Sequence, residues 1–207
     1  MENSRLPDPK PLCEIETELS DGRPVCLRSI RPSDEARIRE GIKEMSDRSR
    51  YFRFFSAFRE APESIIKQLS SVDGHDHIGW GAILLDGENY PAIGAAHAIR
   101  SESNPELGEL AIALLDEYHG CGLARMLIAA VLVTCRNEGI ASLEMQVLGE
   151  NHAAASLFTE LGAQRKAALD SVVHYQLNVA ETLSRLGQIK HPIGISKVLA
   201  VLGVQSE

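Results

Sequence analysis

A lone carboxylate and a pair of glycines, thirteen residues apart at most, mark the part of this chain best suited to chemistry. Glu109 is the single charge in Glu109-Leu110-Ala111-Ile112-Ala113-Leu114-Leu115, which runs through Asp116-Glu117-Tyr118-His119 into Gly120-Cys121-Gly122. The alternation reads as a strand over 106–115, with Leu110, Ile112 and Leu114 on one face. The opposite face carries only Ala111 and Ala113 beside Glu109. The glycine turn then opens a long helix, whose first-turn N–H groups lack internal acceptors and sit at the positive end of the helix dipole. Without side chains at Gly120 and Gly122, a diphosphate can approach those donors closely. A nucleotide P-loop would need Gly-Lys-Ser/Thr here, and a dinucleotide fingerprint would need a glycine where Arg125 stands.

A carboxylate beside an amine can take its proton, directly or through one water. Glu109 is the candidate base, Glu106 the reserve, and a solvated strand carboxylate the plainer alternative. Cys121 sits at a helix start, where a thiol pKa can fall, with His119 two residues away. A small loop residue is nevertheless the preferred reading of Cys121. His75 and His77 could ligate a metal from one strand face, but a loop pair is expected and no metal is called for. Arg50-Tyr51-Phe52-Arg53-Phe54-Phe55 could stack nucleobases. Without a basic surface, it reads better as helix core and the wall of an acceptor pocket.

The elements that must hold these residues follow from periodicity and caps. A strand is expected at 24–30, then a helix opening at Arg31-Pro32-Ser33-Asp34-Glu35 with Ser33 as cap. A second helix starts near Ser46, and a third, short one spans 62–69. Strands follow at 77–85 and 91–99, joined by Asp86-Gly87-Glu88-Asn89 with Gly87 at positive φ. The long helix runs to about Asn137, with Leu123, Met126, Leu127, Ala130, Val131 and Thr134 facing inward and Gly139 as a left-handed cap. A strand at 142–148, a helix at 151–161 closed by Gly162, and strands at 164–169 and 172–178 complete the pattern. Residues 1–21, with Pro7, Pro9 and Pro11, read as an N-terminal extension, part of which could add a strand. The central domain is expected over 22–180. In the tail, 181–207, the apolar cluster Ile195, Val198, Leu199, Val201 and Leu202 either packs on the domain or meets a partner subunit in a homodimer. Packing is preferred.

The chain has 207 residues, 44% hydrophobic and 24% charged, with a formal net charge of -8. Those values fit one globular domain with modest extensions. No basic stripe exists to displace phosphate counterions, so nucleic-acid partners are not expected. No apolar stretch reaches the roughly 20 residues of a bilayer span, so no membrane partner is expected either. The acidity is compatible with a cationic acceptor, although solubility alone is the preferred explanation. Cys13, Cys26, Cys121 and Cys135 lack CxxC spacing, and a cytoplasmic protein with reduced thiols is expected.

The segment from Glu109 to Leu127 resembles the acetyl-CoA-binding segment of the GNAT family of N-acetyltransferases. That family carries Gln/Arg-x-x-Gly-x-Gly/Ala; this chain has His119-Gly120-Cys121-Gly122-Leu123-Ala124. The glycine and the small last residue match, while His119 departs. Downstream, the stretch from Asn151 through Leu157-Phe158 to Gly162-Ala163 resembles the family element Asn-x-x-Ala-x-x-Leu-Tyr-x-x-x-Gly-Phe. Ile30-Arg31-Pro32-Ser33-Asp34 and Ser49-Arg50-Tyr51-Phe52-Arg53 look more narrowly like the GNAT domain of bacterial protein-lysine acetyltransferases.

The resemblance implies an α/β (α+β) fold: a central mixed, mostly antiparallel, splayed sheet of six to seven strands with helices on both faces. It implies acetyl-CoA as co-substrate, held by Ile112, Ala113, Leu114, His119, Gly120, Cys121, Gly122, Leu123, Ala124, Arg125, Asn151 and Phe158. It further implies an amine acceptor, small molecule or protein lysine, with Glu109 as base. Asn151 would approach the pantetheine arm. Phe158 replaces the Tyr that often protonates the departing thiolate, and Tyr175 or Tyr118 are the candidate substitutes. An acyl-CoA-binding sensor with little turnover is the alternative that these departures motivate.

Overall fold

The computed structural model describes residues 12–56, 58–86, 89–189 and 193–203. The expected turn residue Gly87 and the prolines Pro7, Pro9 and Pro11 lie outside them. Eight strands form one sheet: β1 (Ile15–Glu18), β2 (Pro24–Ser29), β3 (His77–Leu84), β4 (Ala92–Arg100), β5 (Leu107–Leu114), β6 (Ser142–Leu148), β7 (Gln164–Leu169) and β8 (Val172–Asn178). Their order is β1-β2-β3-β4-β5-β6-β8-β7, and every neighbour is antiparallel except β5 and β6. The sheet is one strand larger than the six to seven expected, because Ile15–Glu18 pairs with β2.

Seven α-helices accompany it among the described residues: α1 (Glu35–Glu44), α2 (Asp47–Phe54), α3 (Glu63–Ser70), α4 (Leu123–Asn137), α5 (His152–Glu160), α6 (Val179–Gly187) and α7 (Ile193–Val201). None is long and apolar enough to cross a membrane. Helices α1 to α3 cover one face of the sheet, while α4 lies on the other against β3, β4 and β5. Trp80 of β3 fixes the second face, its Nε1 donating to Thr134 Oγ1 of α4 at 3.0 Å.

The entry to α1 differs from the sequence expectation. Residues Pro32–Asp34 form a 3-10 turn, and Ser33 makes no cap hydrogen bond. The buried Asp34 carboxylate does the tying instead: it accepts from the Arg31 amide at 2.9 Å and from both Arg28 terminal nitrogens at 2.8 and 2.6 Å. A charged acceptor binds the loop more strongly than a hydroxyl would. Ser46 caps α2 as expected, its hydroxyl accepting from Ser49 N at 3.2 Å. Arg50 then reaches back to the carbonyls of Ile42, Lys43 and Met45, satisfying the open end of α1. This joins α1 to α2 as one unit over the sheet.

Helix α4 departs more deeply from its expected single inward stripe. Ile128, Ala129, Leu132, Val133 and Cys135 are buried along with the expected Leu123, Met126, Leu127, Ala130 and Val131, while the expected Thr134 is half-buried. The reason is that α6 and α7 pack on its outer side. Ile195, Val198 and Leu199 of α7 are buried in the same core cluster. A helix apolar all round is stable only when covered all round.

Cys13 and Cys26 are joined by a disulfide, their Cα atoms 5.5 Å apart. This corrects the expectation of four reduced thiols, which rested on spacing: residues far apart for a redox motif become neighbours when one strand edge folds against the next. Cys121 and Cys135 are free and buried.

Candidate active site

The pairing of β5 decides the geometry of the site. Against β4 it is in register along its whole length, from Gly108 opposite Arg100 to Leu114 opposite Gly94. Against β6 only Leu107, Gly108 and Glu109 pair, with Ser142, Leu143 and Glu144. Beyond Glu109 the two strands diverge, leaving a wedge.

The alternation of hydrogen-bonded pairs identifies which main-chain groups face that wedge. Leu115 N donates to Ile93 O at 3.0 Å, and Ser101 N donates to Leu107 O at 2.8 Å. Both pairs share the β4–β5 register, so odd-numbered residues of β5 turn their peptide groups toward β4. The N–H and C=O groups of Leu110, Ile112 and Leu114 are therefore directed toward the wedge. This narrows the expected set, because Ala113 contributes its side chain there and not its peptide hydrogen bonds.

At the wide end of the wedge the 3-10 turn Asp116–Tyr118 leads into the glycine loop. Gly120 and Gly122 have φ of 74° and 87°, left-handed values that a side chain would strain. A Cβ placed on Gly120 would meet nothing within 4 Å, so the loop is open to an approaching group. The first helical bond at this end of α4 is Met126 N to Gly122 O, at 3.2 Å. The amides of Leu123, Ala124 and Arg125 precede it and have no acceptor within the helix.

The resulting cleft has a volume of about 320 Å³. Of the expected binding residues, Ile112, Ala113, Leu114, His119, Gly120, Gly122, Ala124, Arg125 and Asn151 line it. Cys121, Leu123 and Phe158 do not: all three side chains are buried in the core. Cys121 Sγ contacts the Tyr118 carbonyl at 2.8 Å, and its own carbonyl accepts from Ser20 N at 3.0 Å. Phe158 packs 6.5 Å from the Tyr175 ring, both within the core. Tyr118 is buried beneath Arg23, whose guanidinium lies 4.3 Å from the ring centre. Among the described residues lining the cleft there is no tyrosine. Asn151 carries a second duty, since its side-chain oxygen caps α5 by accepting from Ala154 N at 3.2 Å.

A second, more polar cavity of about 620 Å³ opens on the sheet face covered by α2 and α3. Glu109, Ala111 and His97 line it, together with Glu144 and Gln146 of β6. Glu109 is exposed and stands at the fork where β5 leaves β6. Arg53 borders both this cavity and the cleft. Burial pushes its pKa down to about 10, and the charge of Glu109 opposes that shift. Glu106 lies one residue before β5 and lines neither space.

His97 is buried behind this cavity. Its Nδ1 lies 3.0 Å from His77 Nε2, and His77 Nδ1 lies 3.0 Å from the Ser71 carbonyl. A carbonyl only accepts, so neutral His77 carries its proton on Nδ1 and takes the His97 Nδ1 proton as a hydrogen bond. Burial holds His97 well below the ordinary histidine range, and the charges of Arg53 and His77 add to this. His75 faces elsewhere, with Nδ1 2.6 Å from Glu138 Oε2.

Sequence reasoning missed Arg53 as a junction, His97 entirely, and the pair Glu144 and Gln146. The alternation Leu143, Glu144, Met145, Gln146, Val147 did signal a polar face on β6, but nothing local showed which cavity that face would meet.

A splayed sheet with a main-chain cradle at the head of the following helix is the framework of an acyl-CoA-dependent acyltransferase. The chain belongs to the acetyltransferase (GNAT) family, whose profile matches residues 40–163. It is 30% identical over 149 residues to acetyltransferase Pat of Mycolicibacterium smegmatis, covering 72% of this chain and 44% of that protein. The chain thus spans less than half the length of that relative. It is 26% identical over 144 residues to acetyltransferase PA5475 of Pseudomonas aeruginosa, covering 70% of this chain and 77% of that one. In fold it is similar to the GNAT domain of S. lividans PAT, with a TM-score of 0.72 and 23% identity over 79% of this chain and 95% of that one. It is also similar to a cAMP-binding acyltransferase from Mycobacterium smegmatis, with a TM-score of 0.58 and 22% identity over 91% of this chain and 55% of that one.

Proposed function

We propose that the protein transfers an acetyl group from acetyl-CoA to a primary amine, with Glu109 as general base. The observation that carries this reading is the position of Glu109 at the fork of the wedge. The diphosphate would rest on the Gly120–Arg125 amides, and the pantetheine arm would follow the β5 edge inward. The thioester carbonyl would then lie near the peptide groups of Ile112 and Leu114, which can stabilise negative charge developing on its oxygen. The amine enters from the polar cavity. Its nitrogen lone pair attacks the carbonyl carbon, the C–S bond breaks, and the amine proton passes to the Glu109 carboxylate directly or through one water.

Glu109 and Glu144 stand side by side in the strand register, which suits a cationic acceptor such as a small amine or a protein lysine. The resemblance of Ile30-Arg31-Pro32-Ser33-Asp34 and Ser49-Arg50-Tyr51-Phe52-Arg53 to bacterial protein-lysine acetyltransferases supports the lysine. The leaving thiolate has a pKa near ~8.5, so it can depart without a tyrosine acid. The buried Phe158 favours a second reading, an acyl-CoA sensor with little turnover.

Release of free CoA thiol, followed with acetyl-CoA and a panel of amines and lysine peptides, separates the two. Turnover that Glu109→Gln lowers by about 10²–10⁴-fold, with acetyl-CoA affinity retained, is expected for the enzyme. Binding without release for every acceptor would instead leave the sensor.

A further inference from the structure

A third cavity, of about 90 Å³, lies behind the cleft between α1 and the sheet. Met45, Arg53, Ala113 and Leu114 line both spaces, so the two adjoin at the point where the thioester is placed. Small residues make the room. Gly81, Ala95 and Ala113 stand in one row across β3, β4 and β5, by register, and Gly41 of α1 lines the same space. Gly41 comes close to the sheet, since a Cβ there would lie 3.7 Å from the Ala92 carbonyl oxygen. Ile38 and Ile42 add an apolar wall, and the Arg28–Asp34 ion pair borders the space. That pair is doubly hydrogen-bonded within itself and, with Arg37, marks a limit to an apolar ligand.

We propose that this cavity receives the acyl chain of the thioester and fits the protein to propionyl and butyryl groups as well as acetyl. The proposal rests on the reading of the cleft as the acyl-CoA site. Its size sets the chain class: an apolar cavity of about 150 Å³ holds a six-carbon ring, so 90 Å³ holds about three or four carbons. An acyl tail entering past Ala113 exchanges water for this apolar lining, and each buried methylene raises affinity about fourfold. A chain of eight carbons overfills the space.

Isothermal titration of the intact chain with CoA, acetyl-, propionyl-, butyryl- and octanoyl-CoA tests this without an acceptor. Affinity rises about fourfold per methylene from acetyl to butyryl, and octanoyl-CoA falls about tenfold below butyryl. Ala95→Leu, which fills the row, removes the increments while free CoA binds as before. Gly41→Ala is the gentler variant, since alanine favours the helix, and it reduces the increments in the same direction. A flat or falling series from acetyl to butyryl in the unaltered protein, with CoA bound, overturns the acyl cavity and leaves the cleft standing. Failure to bind CoA at all overturns both.

Discussion

The paired histidines behind the polar cavity couple stability to pH in the range just below neutrality. Burial depresses the pKa of His97, and burial is also the main cause of the lowered value at His77. In the unfolded chain both titrate near 6.5, so below that pH the unfolded state binds protons that the folded state refuses. Stability is therefore full above about pH 6.5 and falls as the pH drops below it toward the depressed folded values. Thermal melting between pH 7.5 and 5.5 is expected to show a declining Tm, and His97→Gln is expected to flatten the decline. An unaltered slope in that variant would place the effect on different groups. The exposed place of Glu109 beside a cavity was legible in the sequence, because a lone charge among alanines marks a strand face that is not packed shut. His97 was not, because a histidine among alanines on a strand carries no sign of which layer will cover it. Motif position makes Phe158 a binding residue, and the structure turns it into the core. Motif spacing gives the place on the helix, whereas packing against the Tyr175 ring of β8 turns the Phe158 side chain into the core.

At the scale of elements, strands and most caps were readable to within a residue or two, since alternation and capping are local. The bounds of helix α4 were readable too, but its burial on both sides was not, because α6 and α7, which cover its outer side, come from far along the chain. Gly194 shows how close that cover is. A Cβ there would collide with Met126 Sδ and lie 3.0 Å from the Glu18 carbonyl oxygen. Gly194→Ala must push α7 off α4 and β1, and an overpacking cost of about 1–3 kcal/mol is expected in urea denaturation. No loss would mean that α7 yields freely. The Cys13–Cys26 bridge closes a loop of 13 residues on the other side of the same sheet edge. A loop of that size stabilises by about 3 kcal/mol in the chain-entropy description. Cys13→Ser, or reduction, is expected to lower the Tm by several degrees. Equal melting with and without reductant would mean that the bridge adds nothing. Cys135 takes no part, since burial pushes its pKa up to about 12 and keeps it a thiol.

Across the whole molecule, the sheet divides labour by face. One side, under α4, α6 and α7, is filled with apolar side chains. The other, under α1 to α3, is where all three cavities meet at Arg53. Fold class was legible because two separated motifs and the order of elements agree. The eighth strand was legible only as an option within residues 1–21, since Ile15–Glu18 is too short and acidic to fix its own place before it finds β2. The family profile spans residues 40–163, yet Ile15, Val25 and Ile195 belong to the same core as α4.

The bond from Ser20 N to the Cys121 carbonyl gives the opening turn of the sheet a grip on the glycine loop. Together with α7 packed against α4, it means that both extremities of the described fold buttress the glycine loop and the helix it opens from behind. Trimming the polypeptide to its recognisable middle would leave that cradle intact in composition but unsupported in shape.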